Sequence, residues 1–310
     1  MVPTLLIIST LGSGQDVSVT NAYCTSRWLV RGLGAELATN LAGRGGKRWR
    51  QTLRAGGRRT PPPADGALAV VTGATGGLGA EICAGLASLG YDVVVAGRDP
   101  RRGEALASRL RASGASASYV RWEATDLASA HAVARAAGGR PCALLVNNAG
   151  VMGRAVSKAE TVRTNLLAPA ALTLALLPAL RRHGSPRVVN VGSVAGVAHQ
   201  PTPTHAYDAS KAALHHLTRK FASELAPDLT VNAVAPGFVP SRMSRGLATW
   251  GLDFEKIAGR VPLGRVGAAP DMAGVCLFLA SPAAAWISGA VVPVDGGHLA
   301  RGLDLPAGED

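Results

Sequence analysis

Residues 67–72, ALAVVT, form a short apolar run with β-branched character, and GATGGLG at 73–79 leads directly into a helical apolar period that reaches Leu89. A strand that turns through glycines straight into a helix leaves few architectures open. Gly73 permits the tight turn, Gly77 lets the backbone approach a pyrophosphate, and Gly79 lets the helix pack closely on the strand. Thr75 and Leu78 complete the turn. The helix N-terminus then offers unpaired amides and a positive dipole end to an anion. Strand and helix patterns go on alternating along the chain, which predicts an α/β fold on a parallel sheet.

The next strand pattern, DVVVAGR at 92–98, ends in Arg98. An acid at that point would bond the 2′-hydroxyl of a cofactor ribose, whereas arginine suits a 2′-phosphate. NADP(H) is therefore expected over NAD(H). Arg98 also heads a basic cluster with Arg101 and Arg102, which even as a plain surface feature favours the more anionic cofactor.

AYDASK at 206–211 sets a phenol, Tyr207, and an ammonium, Lys211, four positions apart in a helix-compatible run, so both lie on one face. A free tyrosine titrates near pH ~10, and a neighbouring positive charge would favour proton exchange nearer neutrality. Upstream, VVNVGSVAG at 188–196 reads as a buried strand ending in a small-residue turn that presents the Ser193 hydroxyl. Tyr207, Lys211 and Ser193 form a candidate acid/base site. The Tyr/Lys pair alone would equally suit a solvated helix face.

Length and composition allow one large domain with an appendage or two modest domains: 310 residues, 47% hydrophobic, 17% charged. No apolar run approaches the ~20 residues needed to span a bilayer, so no membrane association is expected. Residues 1–60 carry nine Lys or Arg against Asp16 and Glu36, a net +7 of the chain's +12. That excess is a tail property, and no nucleic-acid partner is expected. Residues 43–63, rich in Gly, Arg and Pro, read as a basic linker. The first 26 residues hold no Lys or Arg, unlike a targeting peptide, so the expected location is cytoplasmic. Cys24, Cys83, Cys142 and Cys276 form no CxxC pair, and His215 and His216 are adjacent and so point to different helix faces. With neither HExxH nor a Cys/His cluster, no metal is expected.

Upstream of the linker, residues 3–14 and 22–38 parallel 186–197 and 206–226, a partial duplicate of the catalytic strand and helix. Thr10, with Ser9 adjacent, falls opposite Ser193; Tyr23 falls opposite Tyr207, and Arg27 replaces Lys211. An arginine fork does not substitute for a point ammonium, and no glycine loop precedes the copy, so it reads as a vestigial or fused fragment without activity. The expected division is an extension at 1–65, a main domain at 66–302 and a tail at 303–310.

TGATGGLG at 72–79, Asp126 and Leu127, NNAG at 147–150, Asn165, Ser193, Tyr207, Lys211, PG at 236–237 and DGG at 295–297 occur in one order. In this the chain resembles the classical short-chain dehydrogenase/reductase family over about residues 66–302. The resemblance implies a doubly wound parallel sheet of Rossmann type. It also implies that Asp126, with Leu127 beside it, contacts adenine, and that Asn148, Ala149 and Gly150 pass close to the cofactor. Asn165 would hold a water in a proton relay to Lys211. Pro236, Gly237, Val239 and Ser241 would border the nicotinamide, Ser241 facing its carboxamide.

GSVAG, SKAALHHL, VAPGFVPSRM and VPLGRVG look more narrowly like the bacterial rhamnolipid-type 3-oxoacyl-acyl-carrier-protein reductases and their fungal-like relatives. That implies NADPH-dependent reduction of a ketone, a 3-oxoacyl thioester in particular. Tyr207 would be the general acid, Ser193 the oxyanion partner, and Lys211 would lower the tyrosine pKa and bond the ribose. Alternatives are another small or lipophilic ketone or alcohol, or a non-catalytic NADP(H)-binding protein. Residues 242–258, with Met243, Leu247, Trp250, Leu252 and Phe254, read either as a substrate lid or as core. Apolar segments at 271–281 and 290–297 commonly form subunit interfaces in this family, so a homo-oligomer, dimer or tetramer, is expected. One departure stands out: Asn165 follows Asn148 by only 17 positions, several fewer than is usual.

Overall fold

The computed structural model describes residues 66–152, 156–200, 202–241, 243–244 and 253–300. The N-terminal extension with its duplicated segment, the basic linker, most of the lid region including Leu247, Trp250 and Leu252, and the C-terminal tail lie outside the described residues.

Seven parallel strands form one sheet: β1 (Leu68–Thr72), β2 (Asp92–Gly97), β3 (Ala117–Arg121), β4 (Cys142–Asn147), β5 (Arg187–Val191), β6 (Thr230–Pro236) and β7 (Val291–Val294). Their order is β3-β2-β1-β4-β5-β6-β7. The chain therefore winds outward from β1 to β3 on one side, then returns to start β4 on the other. Between β1 and β4 the winding reverses, and the connections that leave these strands diverge, opening a crevice at their C-terminal ends.

Helices α1 (Leu78–Ser88), α2 (Pro100–Ala112), α3 (Ala130–Ala136), α4 (Lys158–Val162), α5 (Ala168–Arg181), α6 (His205–Glu224), α7 (Phe254–Ala258) and α8 (Ala269–Ala280) connect or follow the strands. Because successive strand residues face opposite ways, β1 feeds two cores. Ala69 and Val71 pack with Ile82 and Leu86 of α1 and Cys276 and Leu279 of α8. Leu68 and Val70 pack with Leu172, Leu176 and Leu180 of α5 and Phe221 of α6. Strands buried on both faces read as continuous apolar runs, and that is how β1, β2 and β4 are written. Each fully buried leucine contributes about 1.5–3 kcal/mol of transfer free energy.

A five-residue π-helical turn, Arg163–Leu167, joins α4 to α5, so the helix runs without a break from Lys158 to Arg181. Among the described residues this is the one helix long and apolar enough to cross a membrane. Its Leu172, Leu176 and Leu180 are wholly buried against the sheet, the pattern of a core helix. Burial also pushes the thiols of Cys83, Cys142 and Cys276 up to about 12, which leaves them unreactive.

Candidate active site

A cleft of ≈ 690 Å³ opens at the C-terminal ends of the strands, where the winding reverses. Gly73, Thr75, Gly77, Leu78 and Gly79 line it at one end. Gly73 (φ 62) and Gly77 (φ 56) hold the left-handed conformations that carry the chain off β1 and into α1. Gly77 caps α1 with no side-chain hydrogen bond, so the first-turn amides face the cleft unmasked. A Cβ on Gly73 would lie 2.7 Å from the Ala149 Cα, and one on Gly79 would lie 2.5 Å from Asn148 Nδ2 and 2.6 Å from the Gly73 carbonyl oxygen. Gly79 thus makes room for the loop after β4 as well as for the strand.

That loop is laced to β1. The Thr72 Oγ1 accepts from the Asn148 and Ala149 amides, each at 3.1 Å. Asn148 Nδ2 donates to the carbonyls of Thr72 (2.9 Å) and Gly73 (3.2 Å). Asn148, Ala149 and Gly150 accordingly stand on the cleft wall. One residue past the end of β2, Arg98 joins the wall with Arg102, whose guanidinium pairs with Asp99 at 3.3 Å. Bare amides, a glycine cradle and an arginine at the far end together fit a dinucleotide carrying an extra phosphate.

Ser193, Tyr207 and Lys211 converge on the other half of the cleft. Ser193 follows β5 in extended backbone, and its Oγ accepts from the Ala195 amide at 3.2 Å. Tyr207 and Lys211 sit one helical turn apart near the start of α6. Lys211 is buried and donates to the Val191 carbonyl at 2.7 Å, with its Nζ 5.8 Å from the centroid of the Tyr207 ring. Pro236, Gly237, Val239 and Ser241 close this end. Gly237 is required there because a Cβ would lie 2.9 Å from the Asp295 Cα.

The electrostatics correct the simple reading of the Tyr/Lys pair. Burial lowers Lys211 to about 8. Tyr207 is moved above its ordinary value, chiefly by burial; the hydrogen bond from Ser193 opposes this and the Asp208 carboxylate adds to it. The expected depression of the tyrosine by Lys211 is not what this geometry produces, because the ammonium is itself desolvated and bonded to the Val191 carbonyl. The phenol keeps its proton at neutral pH, which is the state a proton donor needs.

Asp126 and Leu127 lie outside the cleft wall: the Asp126 carboxylate caps the short turn Leu127–Ser129 by accepting from the Ala128 amide at 3.1 Å. Trp122, Glu123 and Ala124 occupy the wall instead. The tight turn after β3 spends Oδ1 on backbone and leaves Oδ2 of the exposed carboxylate free of it. Asn165 is fully buried in the π-helical turn. Its Oδ1 accepts from the Val151 amide at 2.8 Å, and both Nδ2 hydrogens are spent on the Val151 carbonyl (2.9 Å) and Ser210 Oγ (3.0 Å). It braces the loop that carries Gly150. The short stretch before it still makes a helix, started by the Ser157 side chain capping α4. In the lid region Met243 and Ser244 line the cleft, whereas Phe254 opens α7 away from that wall. No cluster of three or more potential metal-ligating side chains occurs among the described residues.

Comparison with known proteins fits this geometry. The family described as short chain dehydrogenase matches residues 67–251. The rhamnolipids biosynthesis 3-oxoacyl-(acyl-carrier-protein) reductase of Pseudomonas aeruginosa is 36% identical over 249 residues, 76% of this chain and 97% of the relative. The galactitol 2-dehydrogenase (L-tagatose-forming) of Cereibacter sphaeroides is 36% identical over 245 residues, 76% of this chain and 95% of the relative. The solved RhlG/NADP active-site complex of Pseudomonas aeruginosa superposes with a TM-score of 0.70 at 35% identity, covering 76% of this chain and 98% of that one.

The two roles of Asn165 are separable. Asn165→Ala strips the Val151 amide and carbonyl of their partners, at about 1–3 kcal/mol for each orphaned group. Urea unfolding should show a loss of at least about 2 kcal/mol. An unchanged unfolding midpoint with lost turnover would return Asn165 to a role in proton transfer.

Proposed function

The chain belongs to the short-chain dehydrogenase family, and on that premise we propose that it is an NADP(H)-dependent reductase of a ketone, in particular of a 3-oxoacyl thioester. The observation that carries this reading is the convergence of Ser193, a protonated Tyr207 and a buried Lys211 at the open end of a cleft built for a dinucleotide.

The first turn of α1 and the glycines before it would hold the pyrophosphate, and Arg98 the 2′-phosphate. Asn148, Ala149 and Gly150 would flank the ribose end, and Pro236, Gly237, Val239 and Ser241 would orient the nicotinamide. When bound, the dinucleotide supplies the hydride. Tyr207 donates its phenolic proton to the ketone oxygen as charge develops there. Ser193 donates a hydrogen bond to the same oxygen. Lys211 spends one N–H on Val191 and keeps two that can bond the ribose hydroxyls.

The 36% identity to an acyl-carrier-protein reductase supports the thioester substrate. A polyol or its ketone is the second reading, favoured by the equal identity to galactitol 2-dehydrogenase and by a polar patch on the cleft wall. There Thr202 and Thr204 share a hydrogen bond of 2.8 Å, and Thr204 donates to Asp208 at 2.8 Å. The fully exposed Trp286 and part-exposed Phe278, on α8 and the turn after it, support assembly of the chain into a homo-oligomer.

The test follows NADPH and NADH oxidation with acetoacetyl thioester, beside NADP reduction with galactitol. Wild-type enzyme should oxidise NADPH with the thioester, and Tyr207→Phe should lose about 10² to 10⁴ in rate. Turnover with galactitol alone would replace the thioester reading with the polyol one, and NADPH binding without any turnover would sink both. Arg98→Glu should raise the KM for NADPH roughly 10- to 100-fold, the worth of a charge-assisted hydrogen bond, and leave NADH little affected. Equal losses for the two cofactors would remove Arg98 from phosphate recognition. With rising pH, reduction should decline through about 8 as Lys211 loses its charge, and a profile flat to the ordinary lysine value of 10.5 would contradict that assignment.

A further inference from the structure

The sequence pattern passes over His215, because a histidine next to another histidine on a helix shows no ligand spacing. In the structure it is 3% exposed, one turn beyond Lys211 on α6, and lies directly behind the turn that carries Ser193. Its ring is not part of the cleft wall. What it touches is the turn itself.

The Ser193 amide donates to His215 Nε2 at 3.4 Å, and His215 Nδ1 lies 3.2 Å from the Gly196 carbonyl oxygen. A carbonyl only accepts and an amide only donates, so the two contacts together define one protonation state. Nδ1 carries the hydrogen and gives it to Gly196, while Nε2 is bare and receives the Ser193 N–H. An imidazolium would set a second N–H against the Ser193 amide, and burial accordingly lowers His215 to about 4. The chain also makes space for the ring. A Cβ on Gly192 would lie 2.0 Å from His215 Nε2, and one on Gly196 would lie 2.8 Å from His215 Cε1. The two small residues that bracket Ser193 and the turn after it are therefore needed for the imidazole to fit between them.

We propose that His215 is a positioning residue for Ser193: its neutral imidazole, hydrogen-bonded to both ends of the Ser193 to Gly196 turn, fixes the direction in which the serine hydroxyl meets the substrate oxygen. The proposal rests on the reductase reading above. Ser193 Oγ receives the Ala195 amide from within the same turn, so a turn that shifts carries the hydroxyl with it. Displacement of the order of 1 Å at such a group costs up to about 10² in rate.

The experiment is a double-mutant cycle of His215→Leu and Ser193→Ala on the full chain with NADPH and acetoacetyl thioester, together with nitrogen NMR of the histidine-labelled wild type. His215→Leu should lower kcat on the order of 10- to 100-fold with the KM for NADPH unchanged. The double variant should lose no more than Ser193→Ala alone, because His215 acts through that serine. The wild-type spectrum should show a protonated Nδ1 and a bare Nε2 at neutral pH. Multiplying losses in the double variant, or a ring protonated on Nε2, would overturn the proposal while leaving the reductase reading standing. A wild type inactive on every ketone would instead overturn the reductase reading, and the tautomer would still decide whether the hydrogen bonds exist. Should His215→Leu fail to fold, His215→Gln, which keeps a polar group in the slot, completes the same cycle, and a loss that multiplies with Ser193→Ala counts against the proposal.

Discussion

The structure turns on the hydrogen bonds that close the gap between β1 and β4. Parallel strands cannot be joined by a hairpin, so the two central strands belong to segments some 70 residues apart and meet only through their ladder. Past the last ladder bond the chains must part, one into the glycine turn and α1, the other into NNAG. Thr72 and Asn148 hold them together there by exchanging four side-chain hydrogen bonds with backbone. Without them the cleft would have no defined floor. The glycines of the turn after β1 follow from this closeness, since a single added Cβ at Gly73 or Gly79 meets the opposing chain.

A second layer of polar contacts ties the same region to the helices behind it. Asn147 Nδ2 donates to Thr173 on α5 and to Asn190 on β5, and Asn190 donates in turn to Thr218 on α6. Buried amides of this kind are costly unless paired, so the pairs demand one register between strand and helix. The helix held in that register is the one that carries Tyr207 and Lys211. The hydrophobic cores set the layers at the right spacing; the buried hydrogen bonds select which residue faces the cleft.

Tyr207 and Lys211 are partly or wholly removed from water. Desolvation works against the charged form of either group, lowering Lys211 and raising Tyr207. For a phenol that is to donate a proton this is the useful direction, and it arises from where α6 docks rather than from the side chains' own chemistry. The four-residue spacing made the pair visible, but their pKa values belong to the packed structure.

Much was legible in the linear chain. The alternating apolar runs, the glycine turn at 73–79, Arg98, Ser193, and the Tyr207 and Lys211 pair all lie within local patterns, where period and residue type reflect strand, turn or helix directly. What the linear chain does not show falls where a side chain's partner is distant or unpatterned. Asp126 caps the turn after β3, Asn165 braces the loop 14 residues before it, and His215 packs against glycines about twenty residues upstream. By itself the sequence determined the α/β architecture, the nucleotide turn and the candidate set of Ser193, Tyr207 and Lys211, because each is encoded in contiguous residues. Only the tertiary structure decided which polar groups face the cleft and which are spent on backbone, because hydrogen-bond satisfaction in a buried site is settled by every element that packs there at once.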